Sequence, residues 1–231
     1  LDPQPASTAS GAVLAPPPLV ELRDASGNPV AQAGIAVSVE LASGSGSLGG
    51  KLTVSTGADG RAVFDSVIVS GPVPGPVVLR FKAPGLADAL SSSIAITPGA
   101  PVRLDIEQQP SPLAVNDSIF AQQPQVRLRD GAGNLVPQAA VKVQAELVSG
   151  NGVLLGTDTV RTDSNGRATF SSLKLRGRVC NYRLRFTSGA LLPDTSEVIR
   201  LDPGVATQLA IVRQPDSVSN SLLFEVEVQL R

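Results

Sequence analysis

Several residue types that carry common chemistry are absent or scarce in this sequence. It contains no His, Met or Trp, one Cys and only 3% aromatic residues. Without imidazole, the chain cannot use histidine as general base, proton shuttle or metal ligand. The single thiol, Cys180, can form neither an intrachain disulfide nor a multi-thiolate metal site. We therefore predict no enzyme activity, cofactor or metal, and a half-buried strand position for Cys180.

Long apolar runs and a strong net charge are also missing. No run approaches the roughly 18 apolar residues needed to span a bilayer, so we predict no membrane span in this segment. Nineteen Lys and Arg against twenty Asp and Glu leave a formal charge of −1. Such a balance provides no field that gathers phosphates, which excludes nucleic acid as a partner. The start at Leu1, without a leader, indicates a mature chain or an excerpt.

Glycine and proline are abundant, and they restrict the secondary structure. The 22 glycines and 19 prolines leave no stretch for a long helix. Apolar and charged residues alternate instead: Val20 and Leu22 with Glu21 and Arg23, and the pattern returns at residues 126–129. A period of two is typical of an antiparallel sheet with one face in water. The sequence therefore predicts an all-β fold.

The sequence repeats itself with a period near 105 residues. Residues 24–30 (DASGNPV) recur at residues 130–136 (DGAGNLV), and residues 60–62 (GRA) recur at 166–168. The Pro-Gly pair at residues 98–99 returns at 203–204. A fixed period of this kind indicates serial structural units. We predict one repeat over residues 1–98 and a second over 99–203, followed at 204–231 by the initial strands of a third repeat or a strand donated to a neighbouring molecule.

The ends of the chain leave two explanations open. Gln4-Pro5 matches Gln109-Pro110, so most of the strand that should precede the first repeat is missing at Leu1. Either the chain is a window cut from a longer array, or its C-terminal strand completes the first repeat of the next molecule, which would propagate head to tail. Exchange has one difficulty, because the tail duplicates a strand that the first repeat already has at residues 19–23. The candidate inter-subunit strand residues are Gln208, Leu209, Ile211, Val212, Phe224, Val226, Val228 and Leu230.

Two turn motifs occur in both repeats. In Asp-x-x-Gly-Asn the carboxylate can accept backbone N–H bonds, while Gly and Asn tolerate positive φ. Asp-Gly and Asn-Gly pairs are hairpin signals by the same argument. Oxygen ligands could also suit Ca²⁺, but the acidic residues are thinly spread, so we interpret the motifs as structural turns. Their members are Asp24, Gly27, Asn28, Asp59, Gly60, Asp130, Gly133, Asn134, Asn165 and Gly166.

Strand number and spacing narrow the fold class. About seven short strands in roughly 100 residues, separated by turn signals, are typical of an immunoglobulin-like sandwich. The core should form around Phe64, Phe81, Phe170 and Phe186, which occupy repeated positions. We predict tandem immunoglobulin-like β-sandwiches of about 105 residues each, arranged end to end.

Three motifs in sequence carry a family resemblance. They are D-x-x-G-N-x-V, then S-G-x-G-x-L at residues 43–48 and 149–154, then T-x-x-x-G-R-A-x-F at residues 56–64 and 162–170. Together they resemble the bacterial immunoglobulin-like repeats of invasin- and intimin-type surface proteins. The likeness covers residues 19–96 and 102–201, although these units are longer than the usual member and no adhesive tip domain is present. The resemblance implies a secreted or surface-anchored bacterial protein whose serial domains form a stalk without catalytic residues.

Two classes of function remain. The first is a structural module of an extracellular fibre or long surface protein, whose partners are other copies of itself or adjacent repeats, with no receptor identified. The alternative is a carbohydrate- or ligand-binding accessory module of a secreted enzyme. Sugar platforms normally present exposed aromatic rings, and outside the four predicted core positions only Phe120, Tyr182 and Phe224 are available.

Overall fold

The computed structural model describes residues 4–149, 151–213 and 228–230. Every regular element in these ranges is a β-strand, which confirms the all-β prediction. Among the described residues no helix has the length and apolar character required to cross a membrane.

The first repeat contains eleven short strands. They are β1 (Ser7–Ala9), β2 (Ala12–Val13), β3 (Leu19–Glu21), β4 (Ala36–Ser43), β5 (Ser47–Gly49), β6 (Thr53–Ser55), β7 (Arg61–Val63), β8 (Ile68–Ser70), β9 (Pro76–Lys82), β10 (Ala89–Leu90) and β11 (Ile94–Thr97). The largest sheet has the order β1-β11-β9-β4-β6, with β10 also on β9. The remaining strands pair as β2-β8-β5 and β3-β7.

The second repeat has eleven strands as well, and one more pair follows it. The strands of the second repeat are β12 (Arg103–Gln108), β13 (Leu113–Val115), β14 (Gln125–Arg129), β15 (Lys142–Ser149), β16 (Gly152–Leu155), β17 (Thr159–Arg161), β18 (Arg167–Thr169), β19 (Lys174–Gly177), β20 (Asn181–Thr187), β21 (Asp194–Thr195) and β22 (Ile199–Asp202). The pair after it consists of β23 (Leu209–Ile211) and β24 (Val228–Leu230). The sheets of the second repeat have the orders β13-β22-β20-β15-β17, with β21 on β20, then β12-β14-β18 and β16-β19. Strands β23 and β24 pair with each other.

The two repeats agree in register as well as in strand order. Leu41 lies opposite Leu79 in the β4–β9 pair, and Leu147 lies opposite Leu184 in the β15–β20 pair. Each of these pairs has a bulge directly after that leucine. The expected seven strands per repeat are too few, because bulges and Gly- or Pro-containing breaks divide the ladders into shorter pieces.

Each repeat encloses its own hydrophobic cluster. The rings of Phe64 and Phe81 lie 5.1 Å apart in the first, and those of Phe170 and Phe186 lie 5.4 Å apart in the second. All four are buried, as predicted. Tyr182 is buried beside the second pair and donates its hydroxyl proton to the Arg178 carbonyl oxygen at 2.8 Å. Alternation along the strands thus correctly identifies the core faces.

Within the described ranges, the repeats differ at two strands. Strand β2 pairs with β8 in the first repeat, where the described part of the second has only an isolated bridge between Ile119 and Lys174. The other difference lies at β3 and its counterpart β14. In the second repeat β14 pairs with β12 on one side and β18 on the other, whereas β3 in the first repeat pairs with β7 alone.

The β23–β24 pair copies β12–β14, since Leu209 faces Leu230 as Leu104 faces Leu128. Strand β24 thus corresponds to β14 and so to β3, and the tail does duplicate a strand that the first repeat already has. The tail strand β23 corresponds to β12, which has no counterpart among the described residues of the first repeat.

Cys180 does not occupy the half-buried strand position expected from the sequence. It is exposed and lies in the connection between β19 and β20. One residue is deleted here relative to the first repeat, so the strand alternation cannot be extended through this connection.

Candidate functional site

The Asp-x-x-Gly-Asn turn of the first repeat, residues 24–28, is held by its own side chains. One carboxylate oxygen of Asp24 accepts backbone N–H bonds from Ser26 at 2.9 Å and Asn28 at 2.8 Å. The other accepts a bond from Asn28 Nδ2 at 3.0 Å. Gly27 supplies a φ of +84°, which other L-residues rarely adopt. The turn is therefore ordered without help from a neighbour.

The turn of the second repeat, residues 130–134, has the same internal geometry. Asp130 accepts the backbone N–H bonds of Ala132 at 3.0 Å and Asn134 at 2.8 Å, and it accepts Asn134 Nδ2 at 2.9 Å. Gly133 also has a φ of +84°. Two copies of one sequence motif thus form two copies of one structure.

Among the described residues, hydrogen bonds to the other repeat come from the second turn and not from the first. Asn134 Nδ2 donates to the Gly71 carbonyl oxygen at 2.9 Å, and Val73 N donates to Asn134 Oδ1 at 2.9 Å. Asp130 additionally accepts a bond from Gly99 N at 2.8 Å, in the connection between the repeats. We call these three bonds the joint. They link the β8–β9 loop and the connecting residue to one preformed turn.

The two side chains that form the joint, those of Asp130 and Asn134, are buried. Asp130 is 1% exposed and Asn134 is 9% exposed, whereas Asp24 and Asn28 are both exposed. Burial raises the pKa of the Asp130 carboxyl, but hydrogen bonds from Asn134, Gly99 and Ala132 outweigh it and bring the pKa below its usual value. The Asn28 side chain has the chief part in lowering the pKa of Asp24. The buried carboxylate therefore stays ionised and accepts charge-assisted bonds.

The second turn motif connects the two layers of each repeat. Gly60 has a φ of +77° and Gly166 a φ of +71°, and an added Cβ at either would collide with the carbonyl oxygen of Val30 or Val136. The strands on the two sides of each turn lie in different sheets, because β6 pairs with β4 and β7 with β3. The Asp59-Gly60 and Asn165-Gly166 turns thus cross between sheets and do not close hairpins.

The outer edge of β3 is the second distinctive feature. In the second repeat, β12 covers the equivalent edge of β14, and Val102 N donates to the Arg129 carbonyl oxygen at 2.8 Å. No strand within the described ranges covers β3 in this way. Leu86 is 49% exposed, whereas its counterpart Leu191 packs against the second core. Within the described ranges, the first repeat therefore has an unpaired edge at β3, and it also exposes the apolar side chain of Leu86.

The predicted inter-subunit strand is described in part. Leu209 is 68% exposed and Ile211 is 58% exposed, and Gln208 and Val212 are exposed as well. Val228 lies opposite Ile211, and Leu230 opposite Leu209, in the β23–β24 pair. Phe224 and Val226 lie outside the described residues. The apolar side chains of β23 are thus available for a further contact.

A cleft of about 810 Å³ lies where the repeats meet. Its lining comes from both repeats and includes Ser10, Gly46, Gly71 and Ala132. None of the lining residues is charged or aromatic. Across the described part of the chain, no three His, Cys, Asp or Glu residues cluster as a metal site would require.

Comparison with known proteins identifies the fold. A family model of immunoglobulin-like domains, SMCHD1 Ig-like domain 6, matches residues 99–192, which is less than half of the chain. No curated protein matches. With the strand architecture above, the match shows an immunoglobulin-like β-sandwich, as predicted. The narrower expectation of an invasin- or intimin-type bacterial repeat stays a prediction.

Solved structures resemble the chain at low identity. A β-glycosidase from Bacteroides vulgatus is 13% identical, with a TM-score of 0.38, over 80% of this chain and 24% of that one. A glycosyl hydrolase family 2 member from Bacteroides cellulosilyticus is 13% identical, with a TM-score of 0.37, over 72% and 21%. A chimeric titin Z1Z2–Z1Z2 tandem is 13% identical, with a TM-score of 0.25, over 87% and 96%. This chain spans about a quarter of the length of the first of these enzymes.

Proposed function

We propose that the chain is a structural segment of an extracellular bacterial fibre or long surface protein, in which immunoglobulin-like repeats form a stalk. The joint is the observation that carries this proposal. Asn134 and Asp130 are buried against the preceding repeat and use both side chains to bind its loop and the connecting residue. A connection of two or three residues is too short to act as a flexible coil. The joint therefore suits a function that requires fixed spacing.

One parallel strand pair in each repeat is arranged to bear load. Strand β1 runs parallel to β11, and β13 runs parallel to β22. Because these pairs are parallel, tension on the two ends of a repeat pulls the strands in opposite directions along their ladder. The hydrogen bonds must then break together, and resistance is determined by the unfolding rate. This geometry supports a stalk under tension.

The finer proposal is head-to-tail assembly by β-strand complementation. Strand β23 of one copy would lie along the open edge of β3 in the next copy, as β12 lies along β14. Leu209 and Ile211 would then occupy the places of Leu104 and Ile106. In its own chain β23 pairs with β24. On assembly, β23 would leave β24 and pair with β3 of the next copy.

Charge at the two edges supports this pairing. In the second repeat Glu107 of β12 binds Arg127 at 2.9 Å and Arg167 at 2.8 Å. In the first repeat Glu21 occupies the place of Arg127, and it pairs with Arg61 of β7 at 3.0 Å. The tail has Val212 in the place of Glu107. The donated strand therefore brings no carboxylate to an edge that already carries one.

The alternative, a carbohydrate-binding accessory module, has less support. The described residues contain six of the seven aromatic side chains, and all six are buried: Phe64, Phe81, Phe120, Phe170, Tyr182 and Phe186. A stacking platform for sugar would need at least one exposed ring.

Single-molecule pulling from the two termini tests the stalk function. We expect both repeats to unfold in separate events at forces typical of sheared ladders, because the last strand of each repeat lies in a parallel pair. Binding of polysaccharide together with unfolding at very low force would contradict the proposal and favour the accessory module.

Sedimentation of the full chain tests the strand pairing. We expect Ile211→Asp to lower the association constant, since it would place a charge in the buried interface. The matched control is Val205→Asp, at an exposed position outside any strand, which should leave association unchanged. Deletion of residues 204–231 should abolish assembly. Unchanged assembly after that deletion would reject strand complementation.

A further inference from the structure

The exposed turn at residues 24–28 has the structure of a docking site whose partner is known from the internal joint. Its counterpart at residues 130–134 binds Gly71 O, Val73 N and Gly99 N. The first turn makes the same internal bonds within about 0.1 Å, but none of these outer contacts. An ordered polar turn of this kind has no reorganisation cost to meet when a partner arrives.

The second repeat contains a match for each group that the joint uses. Gly177 and Val179 correspond to Gly71 and Val73 at an offset of 106, and Gly204 corresponds to Gly99 at an offset of 105. We infer that the turn at residues 24–28 of one copy binds the backbone at residues 177–179 and 204 of a second copy. Asn28 would bind Gly177 O and Val179 N, and Asp24 would accept Gly204 N.

The local backbone at residue 204 is placed as it is in the internal joint. Gly99 lies so close to the carbonyl oxygen of Ser10 that an added Cβ would collide, and Gly204 lies against Asn116 O in the same way. Ser10 N donates to Thr97 O at 2.8 Å, and Asn116 N donates to Asp202 O at 3.0 Å. The connection after each repeat thus follows one path, which directs Gly204 N as Gly99 N is directed.

The loop after β19 is available for the contact. Val179 is exposed, and its N–H has no partner among the described residues. Gly177 O already accepts a bond from Asn116 Nδ2 at 2.7 Å, but a carbonyl oxygen has two lone pairs and can accept another. Arg178 replaces Pro72 of the internal joint and would bring a positive charge towards the Asp24 carboxylate. The two surfaces are therefore complementary in charge.

We assign a second copy of this chain as the partner of the turn. The turn at residues 24–28 and the backbone at residues 177–179 and 204 are two different surfaces, and every copy of the chain carries both. A contact between unlike surfaces does not close on itself, so each copy leaves one of each kind free and the assembly extends. This inference rests on the proposed stalk function, since it extends the internal joint to the junction between chains. It involves other groups than the β3–β23 pairing, so Asn28→Ala and Ile211→Asp test the two contacts separately, whereas deletion of residues 204–231 removes groups of both.

Sedimentation equilibrium of the full chain in a Cys180→Ser background measures the contact. We expect Asn28→Ala to weaken association at least tenfold, because a buried Val179 N–H would lose its acceptor. Asn165→Ala, an exposed asparagine in another turn, is the matched control and should leave association unchanged. Equal association of Asn28→Ala and wild type would overturn the inference, as would a wild-type chain that stays monomeric. Neither result would affect the pulling test of the stalk function.

Disulfide trapping reports which surfaces meet. Ala132 and Pro72 line one cleft at the internal joint. Ser26 is the counterpart of Ala132, and Arg178 is the counterpart of Pro72. Cys180 lies two residues after Arg178, so a cysteine at position 26 would come close to it in the proposed contact. A chain with Ser26→Cys and Cys180→Ser, mixed with wild type and mildly oxidised, should form mainly the mixed dimer. A statistical mixture of mixed and like dimers would contradict the contact.

Discussion

The two repeats have the same strand order in their largest sheets and the same turn geometry, yet they differ in what is buried. The second encloses seventeen buried hydrophobic side chains in one cluster, and the first encloses twelve. The additional residues include Leu104 on β12, the strand for which the first repeat has no described counterpart. The Asp and Asn of the Asp-x-x-Gly-Asn turn are likewise buried in the second repeat and exposed in the first. The second repeat is thus completed by β12 and by its contacts with the preceding repeat, and the described residues of the first repeat show neither.

The largest expected difference in the free energy of unfolding is between alanine variants of two matched leucines, Leu104 in β12 and Leu209 in β23. Leu104→Ala should destabilise the second repeat by about 2–5 kcal/mol, because it removes a buried side chain and leaves a cavity. Leu209→Ala, at the corresponding exposed position, should change the monomer by less than about 0.5 kcal/mol. Urea unfolding of both variants at low protein concentration makes the comparison. Similar losses at the two positions would show that β23 is already buried.

Matched asparagines give the next largest effect. Asn134→Ala leaves Val73 N and Gly71 O without their partner and should cost about 1–3 kcal/mol. Asn28→Ala in the monomer removes only an exposed bond to Asp24 and should cost a few tenths of a kcal/mol. Thermal unfolding at low concentration measures both. A larger loss for Asn28→Ala than for Asn134→Ala would contradict the assignment of the joint.

The joint should also depend on pH. The pKa of Asp130 is lowered in the folded chain, so this carboxylate contributes stability above its ordinary value of 3.8. That contribution is lost as the pH falls through the lowered folded pKa. Amide exchange at Gly99 should therefore accelerate at acid pH, relative to core amides of the second repeat, and Asp130→Asn should remove this dependence. A Gly99 amide whose relative protection is constant through this range would disprove the role of the carboxylate.

The smallest effect concerns the surface charges on β12 and β3. Glu107→Gln removes ion pairs with Arg127 and Arg167, and Glu21→Gln removes ion pairs with Arg23 and Arg61. These pairs are partly exposed, so each change should cost about 0.2–1 kcal/mol and less at high salt. Unfolding free energies at low and high ionic strength provide the measurement. A loss above this range that persists in high salt would indicate a buried network.

Sequence periodicity predicts the fold well and the site only in part. Alternation identifies the strands and the four core phenylalanines, because burial of one sheet face is a local pattern. The turn motifs are visible too, but identical letters at residues 24 and 130 cannot reveal that only Asp130 is buried. That difference depends on the neighbouring repeat. Cys180 was misplaced because a deletion interrupts the alternation, whereas the missing counterpart of β12 is visible in the sequence from the match of Gln4-Pro5 to Gln109-Pro110.

The most direct test of the account is whether the joint holds the two repeats as one body. Residual dipolar couplings of backbone amides in the full chain measure the alignment of each repeat separately. We predict a single alignment tensor for both repeats in the wild type, and two different tensors in Asn134→Ala. Different tensors in the wild-type chain would contradict a stalk built on rigid joints.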